Sequence, residues 1–255
     1  MPTLQQPKTA LREDPTRPAA LLMREVTKTY DGAVTALDRV SLQVPRGSFL
    51  AVMGPSGSGK STLLHCAAGL DSPTGGEVYI GGTAIGPLNE TKRTMLRRDR
   101  IGFVFQSYNL LPSLTVEENI TLPLRLSGAS ADRRWLGELV KRAGLGRMLR
   151  LRPGDLSAGE QQRAAIARAL AGRPEVVFAD EPTGALGPEA ADEVLGLLRE
   201  LVDEFAQTVV MVTHDPNAAA HAHATAVMAG GRIDRYFARP TAAELARSLV
   251  RQGAP

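Results

Sequence analysis

Residues 54–61 read Gly54-Pro55-Ser56-Gly57-Ser58-Gly59-Lys60-Ser61, directly after the apolar run Phe49–Met53 and directly before Thr62-Leu63-Leu64-His65-Cys66-Ala67-Ala68. The order is strand, glycine-rich turn, helix, which is the context a phosphate-binding P-loop needs. Glycines let backbone N–H groups turn inward around a phosphate chain. Lys60 brings a point charge to the β- and γ-phosphates, and the Ser61 hydroxyl can ligate Mg²⁺. The pattern predicts a nucleoside-triphosphate site and, with it, a fold that sets a β-strand against a helix.

The rest of the chain supplies such a fold. Leu21 to Tyr30 and Ala36 to Val44 alternate in polarity around Asp31-Gly32 and close on Pro45-Arg46-Gly47, which predicts two antiparallel strands. Three further β-type runs, Phe103–Phe105, Val176–Ala179 and Val209–Val212, are separated by helical patterns, as in a parallel sheet covered by helices. Between Gln106 and Leu156 the chain has helical patterns, including Leu136 to Ala143, and no strand signal, which predicts an inserted helical subdomain. Residues 1–20 carry prolines without periodicity and read as a disordered tail. Beyond Phe237 only Ala242 to Leu249 looks helical.

Composition narrows the class. A chain of 255 residues with 43% hydrophobic content can bury a sizeable core, and its net charge of +3 gives no argument for nucleic acid. No apolar stretch approaches the ~20 residues that cross a bilayer, and the start lacks the apolar segment of a secretory signal, so a cytoplasmic location is expected. The single cysteine, Cys66, lies in the apolar part of the helix after the P-loop and reads as a buried small hydrophobe. Trp135, Leu136, Leu139 and Val140 fit a helix core stripe. His221 and His223 alternate with alanines and do not make a metal site. The basic run Lys92, Arg93, Arg97, Arg98 and Arg100 suits a solvated helix face, with a membrane-protein loop or anionic headgroups as the other readings.

Two later segments carry chemistry. In Leu156-Ser157-Ala158-Gly159-Glu160-Gln161-Gln162-Arg163, Ser157 and Glu160 form a capping box that opens a helix running to about Ala171. Shortly after, Val176–Ala179 ends in Asp180-Glu181. A carboxylate at a strand end can hold Mg²⁺, and its neighbour, pointing elsewhere, can polarise a water toward a γ-phosphate.

Taken together these residues resemble the nucleotide-binding subunit of an ATP-binding cassette (ABC) transporter, from about Leu21 to Phe237. The resemblance implies an α/β fold with a P-loop NTPase (RecA-like) core, an N-terminal antiparallel β subdomain and an inserted helical subdomain at 107–165, followed by a C-terminal tail at 238–255. It implies ATP and Mg²⁺ as cofactors. In the family's pattern Tyr30 stacks on adenine, Gly54–Ser61 with Thr62 cradles the phosphates, and Gln106 contacts Mg²⁺ and the attacking water. Ser157, Ala158, Gly159 and Glu160 match the signature motif, Asp180 the magnesium-binding aspartate, Glu181 the general base, and His214 in Val212-Thr213-His214-Asp215 the histidine that touches the γ-phosphate. The signature of one cassette completes the ATP site of another, so a homodimer or a pairing with a second cassette is implied, acting on an integral-membrane permease from the cytoplasmic face.

The runs Gln106–Asn119 and Ala179–Gly184 look most like the macrolide-export and lipoprotein-release class, whose permeases are FtsX-like; amino-acid importers usually carry serine at the position of Gly184. Export or extraction is the implied direction. A regulatory ATPase acting on a membrane partner without moving solute, and a subunit that binds ATP but hydrolyses it poorly, are the alternatives. Two departures bear on the second. Ala158 stands where glycine is usual, and the run after Glu181 ends in Gly187 where the family has aspartate. Loss of that acid across the dimer interface implies slower or less tightly coupled hydrolysis, although Pro188 and Glu189 also simply suit a helix start. Gly187→Asp is therefore expected to tighten the coupling of ATPase activity to transport in the reconstituted complex; unchanged coupling would contradict the role given to the missing acid.

Overall fold

The computed structural model describes residues 19–252, with side chains to residue 250. Of the expected tail at 1–20, residues 1–18 lie outside the described residues, and Ala19 and Ala20 already belong to a strand. The elements in chain order are β1 (Ala19–Tyr30), β2 (Val34–Pro45), β3 (Phe49–Met53), α1 (Lys60–Ala67), β4 (Gly75–Ile80), β5 (Thr83–Ala84), α2 (Glu90–Arg100), β6 (Ile101–Phe105), α3 (Val116–Ser127), α4 (Arg133–Arg142), a 3₁₀ turn (Pro153–Asp155), α5 (Ala158–Leu170), β7 (Val176–Asp180), α6 (Pro188–Phe205), β8 (Val209–Thr213), α7 (Pro216–Ala220), β9 (Ala224–Ala229), β10 (Arg232–Ala238) and α8 (Ala242–Gln252).

They form two sheets, a four-stranded one in the order β2-β1-β4-β5 and a six-stranded one in the order β10-β9-β3-β8-β7-β6. In the larger sheet β9, β3, β8, β7 and β6 run parallel to their neighbours, and β10 closes the edge antiparallel to β9. The smaller sheet is antiparallel throughout. Strands β3 and β8 are buried along their whole length, as expected of apolar runs covered on both faces.

Alternation along these strands feeds two separate cores. Phe49, Ala51, Met53, Val177, Ala179, Val209 and Met211 point into one, with α3, α4, α5, α6 and the C-terminal Leu245. Leu50, Val52, Val176, Phe178, Val210 and Val212 point into the other, with α1 and the antiparallel sheet. Trp135 and Leu139 of α4 are buried, and the Trp135 indole N–H donates to Leu170 O at 2.9 Å. Cys66 is buried with a free thiol, whose pKa burial pushes up to about 11.

Helix α8 departs from the expected tail. It packs along α7, and Leu245 is fully buried in the core. The basic residues of α2 are largely engaged close to home: Arg93 pairs with Glu90, Arg98 with Asp99, Arg97 donates to Gly69 O at 2.5 Å, and Arg100 donates to Thr83 Oγ1.

Candidate functional site

Parallel register brings the carboxyl ends of β3, β6, β7 and β8 into one row. Phe105 stands opposite Asp180, Asp180 opposite Val212, and Met53 opposite Thr213. The residues that follow each strand are Gly54, Gln106, Glu181 and His214, so four distant stretches of sequence meet at one edge of the sheet, where open α/β sheets bind ligands.

At that edge lies a cleft of about 920 Å³ lined by Gly54, Pro55, Ser56, Gly57, Gly59, Lys60, Ser61 and Thr62 together with Asp180, Glu181 and His214; Ala36, Val212 and Leu249 complete it. Glycine is required where the loop passes closest to its surroundings. Gly59 has φ 101°, and a Cβ there would come within 2.4 Å of Ala36 O; a Cβ on Gly54 would meet Met228 O at the same distance. Gly59 offers α1 no side-chain cap, so the N–H groups of the helix's first turn are not consumed by a capping side chain and are free to meet an anion.

Lys60 is 9% exposed, and its Nζ donates to Gly54 O at 2.8 Å and Pro55 O at 2.9 Å. Burial lowers its pKa, and the nearby Glu181 and Asp180 carboxylates act the other way. Burial likewise raises the pKa of Asp180, with repulsion from Glu181 adding to it. A ligand that brings negative phosphate oxygens to Lys60 and a cation to Asp180 would relieve both costs, because each charge is held in a partly dry setting. Glu181 is held in the left-handed region at φ 46°, with its N–H donated to Val212 O. Its carboxylate accepts from Thr213 Oγ1 at 3.0 Å and lies 2.7 Å from His214 Nδ1. The acid is thus oriented on both oxygens.

Ser61 and Asp180 offer hard oxygen donors to the same cleft, a set that suits Mg²⁺ sharing its shell with phosphate and water. Among the described residues no group of three or more His, Cys, Asp or Glu could hold a metal by itself. The site therefore fits an ion that arrives with a phosphate ligand.

Several sequence-predicted site residues do not line this cleft. Ser58 is turned beneath the loop, 3% exposed, and its backbone is bound within the protein to Pro55 and Gly231. Tyr30 stands beside the cleft: its hydroxyl donates to Asp71 Oδ2 at 2.9 Å, while Lys28 bonds Asp71 Oδ1 and sits 4.8 Å over the ring. Gln106 lies against Gly184, where a Cβ would come within 2.8 Å of its Nε2. Ser157 and Glu160 spend their side chains on the capping box at the start of α5, Gly159 is buried against Ala190 of α6, and Ala158 is exposed. Gly187 has an ordinary φ of −69° and open space where a Cβ would stand, so nothing in the backbone demands glycine there.

Thr213, Ala36, Val212 and Leu249 are site residues that the sequence did not flag. Thr213 was one position from a flagged histidine; Leu249 comes from the C-terminal helix and carries no local signal.

The comparisons agree with this geometry. The family model for the ABC transporter matches residues 37–184. An ABC transporter ATP-binding protein of Methanocaldococcus jannaschii is 44% identical over 223 residues, 84% of this chain and 94% of that protein. A solved dimeric structure of the cassette of the same designation, in a post-hydrolysis state bound to ADP and Pi, superposes with a TM-score of 0.76 at 42% identity, covering 86% of this chain and 99% of that one. A lipoprotein-releasing system ATP-binding protein of Psychrobacter arcticus is 42% identical over 86% of this chain and 99% of its own length. The macrolide export ATP-binding/permease protein of Paracoccus denitrificans is 44% identical over 86% of this chain, which spans only 34% of that longer protein.

Asp180 yields a test of the site's electrostatics. Its raised pKa means that its contribution to stability is complete below the ordinary aspartate value of 3.8 and is lost as pH rises through the raised value. Asp180→Asn is therefore expected to unfold at a higher temperature than the parent at neutral pH without nucleotide or Mg²⁺, the gap closing as pH falls through the acid range. A gap that does not change with pH would contradict the assignment.

Proposed function

The chain belongs to the ABC transporter family as an ATP-binding cassette with ATPase activity, and from that premise we propose how its residues divide the work. The observation that carries the reading is the convergence of Lys60, Asp180, Glu181 and His214 on one cleft at the ends of parallel strands. Lys60 and the N–H groups at the start of α1 hold the β- and γ-phosphates. Ser61 and Asp180 would hold Mg²⁺, with Gln106 turned from Gly184 toward the ion and the attacking water, and the ion would neutralise phosphate charge. Tyr30, fixed at its hydroxyl by Asp71, is the platform for adenine.

Glu181 takes the proton of the attacking water as that oxygen bonds the γ-phosphorus and the bond to the bridging oxygen breaks, leaving ADP and phosphate. Thr213 and His214 aim the carboxylate, and His214 is also poised to reach the γ-phosphate. Ser157, Ala158, Gly159 and Glu160 stand outside their own cleft, which supports a role at the phosphates of a second cassette in a homodimer or a paired heterodimer. At the opening of α5 the capping box takes the Glu160 N–H and leaves those of Ala158 and Gly159 to an incoming anion.

ATP favours the closed pair and hydrolysis releases it, and this alternation drives a permease from the cytoplasmic face of the membrane. The permease in this reading is FtsX-like, and the relatives named for macrolide export and lipoprotein release support export or extraction of a hydrophobic or amphipathic substrate. Among the described residues no helix is long and apolar enough to cross a membrane.

Glu181→Gln keeps the shape of the acid and removes its basicity. It is expected to lower ATP turnover by about 10²- to 10⁴-fold, the range of general-base catalysis, while retaining ATP affinity in an equilibrium binding assay. Turnover within a fewfold of the parent would contradict the role given to Glu181.

A further inference from the structure

Helix α5 touches both of the loops on which the hydrolytic chemistry depends, and it does so through one buried amide. Gln162 is completely buried, and its Nε2 donates to Phe105 O at 3.2 Å and to Pro182 O at 2.6 Å. Phe105 immediately precedes Gln106, and Pro182 immediately follows Glu181. With two carbonyls as its partners the amide has only one workable orientation, since turning it over would set Oε1 against both oxygens.

Oε1 meets no donor from the protein. A buried amide satisfied on one side only is a poor choice for stability, because an apolar side chain of the same shape would leave no polar atom stranded. The amide is better explained by what it holds. Six residues further along α5, Arg168 donates to Tyr108 O at 2.8 Å and to Asn109 O. Tyr108 and Asn109 both adopt left-handed backbone, at φ 58° and 52°. The helix therefore grips the Gln106 loop on both shoulders and the Glu181 loop on one.

We propose that Gln162 is a positioning residue for ATP hydrolysis, clamping the Gln106 and Glu181 loops to each other so that the two side chains address one water. The proposal rests on the reading of Gln106 and Glu181 given above. It also makes α5 a mechanical link, because the helix that carries Gln162 begins at Ser157, and a shift of that end is transmitted to both loops.

The test is Gln162→Met in the full chain, which removes both donors at similar volume. Expected are a fall in turnover of about 10- to 100-fold, the scale of a small misplacement of reacting groups, with the Kd for a non-hydrolysable ATP analogue within about twofold of the parent and a melting temperature equal or higher. In a double-mutant cycle, Gln106→Ala is expected to cost less turnover in the Gln162→Met background than in the parent. Turnover within about twofold of the parent overturns the proposal, as does a loss that tracks lost affinity and lowered melting, or a chain that fails to fold, since the argument requires an apolar replacement to be tolerated. Glu181→Gln run in parallel separates the layers: if it alone retains turnover, the reading beneath is at fault; if it is inactive while Gln162→Met is normal, only the clamp fails.

Discussion

The in-register parallel pairing of β3, β8, β7 and β6 is the constraint on which the rest of the structure depends. Each strand ends within one residue of its neighbour, so the next residue of each chain segment emerges at the same edge. A slip of one residue in β7 would send Asp180 to the opposite face and carry Val177 and Phe178 into the wrong cores. Catalytic geometry and core packing are therefore fixed by the same hydrogen bonds, and neither can be altered alone.

Burial on both faces makes that register rigid, and the rigidity is used to keep charges where they are disfavoured. Lys60 sits at the mouth of β3 with only carbonyls for partners, while Asp180 at the end of β7 and Glu181 just beyond it act on its charge without neutralising it fully. A site built in this way is incomplete by design. It gains most from a ligand that presents negative phosphate oxygens to Lys60 and a divalent cation to the two acids, which is the description of a magnesium-nucleotide complex.

The features legible in the sequence were those whose chemistry and geometry are local. The P-loop is encoded in eight consecutive residues between an apolar strand and a helix, and Val176–Ala179 runs straight into Asp180-Glu181, so strand, direction and acids are read together. β4 and β5 leave no strand signal in the sequence, because Gly75-Gly76 and the exposed Glu77 break the alternation. β9 and β10 escaped because an alanine-rich run and a charge-bearing one owe their strand state to the edge of a finished sheet. His223 has no local pattern that marks a role; its Nδ1 accepts from Phe49 N at 3.0 Å and its Nε2 meets Asp203 Oδ1, which ties the start of β3 to α6. Gln162 bonds carbonyls 57 and 20 residues away, and Leu249 meets a cleft whose other lining residues end at His214, so no short window of sequence contains those contacts.

In the function proposed above, one chain holds a nucleotide cleft and the start of a second chain's α5 completes it. The most direct measurement is the ATPase rate per chain at saturating Mg-ATP as the concentration of the purified chain is raised from well below to well above the range in which it pairs. The expected result is a specific activity that climbs with concentration and reaches a plateau as pairs fill, together with a chain that binds nucleotide but turns over very slowly when dilute. A specific activity independent of concentration, from a chain shown to be monomeric throughout, would contradict the claim.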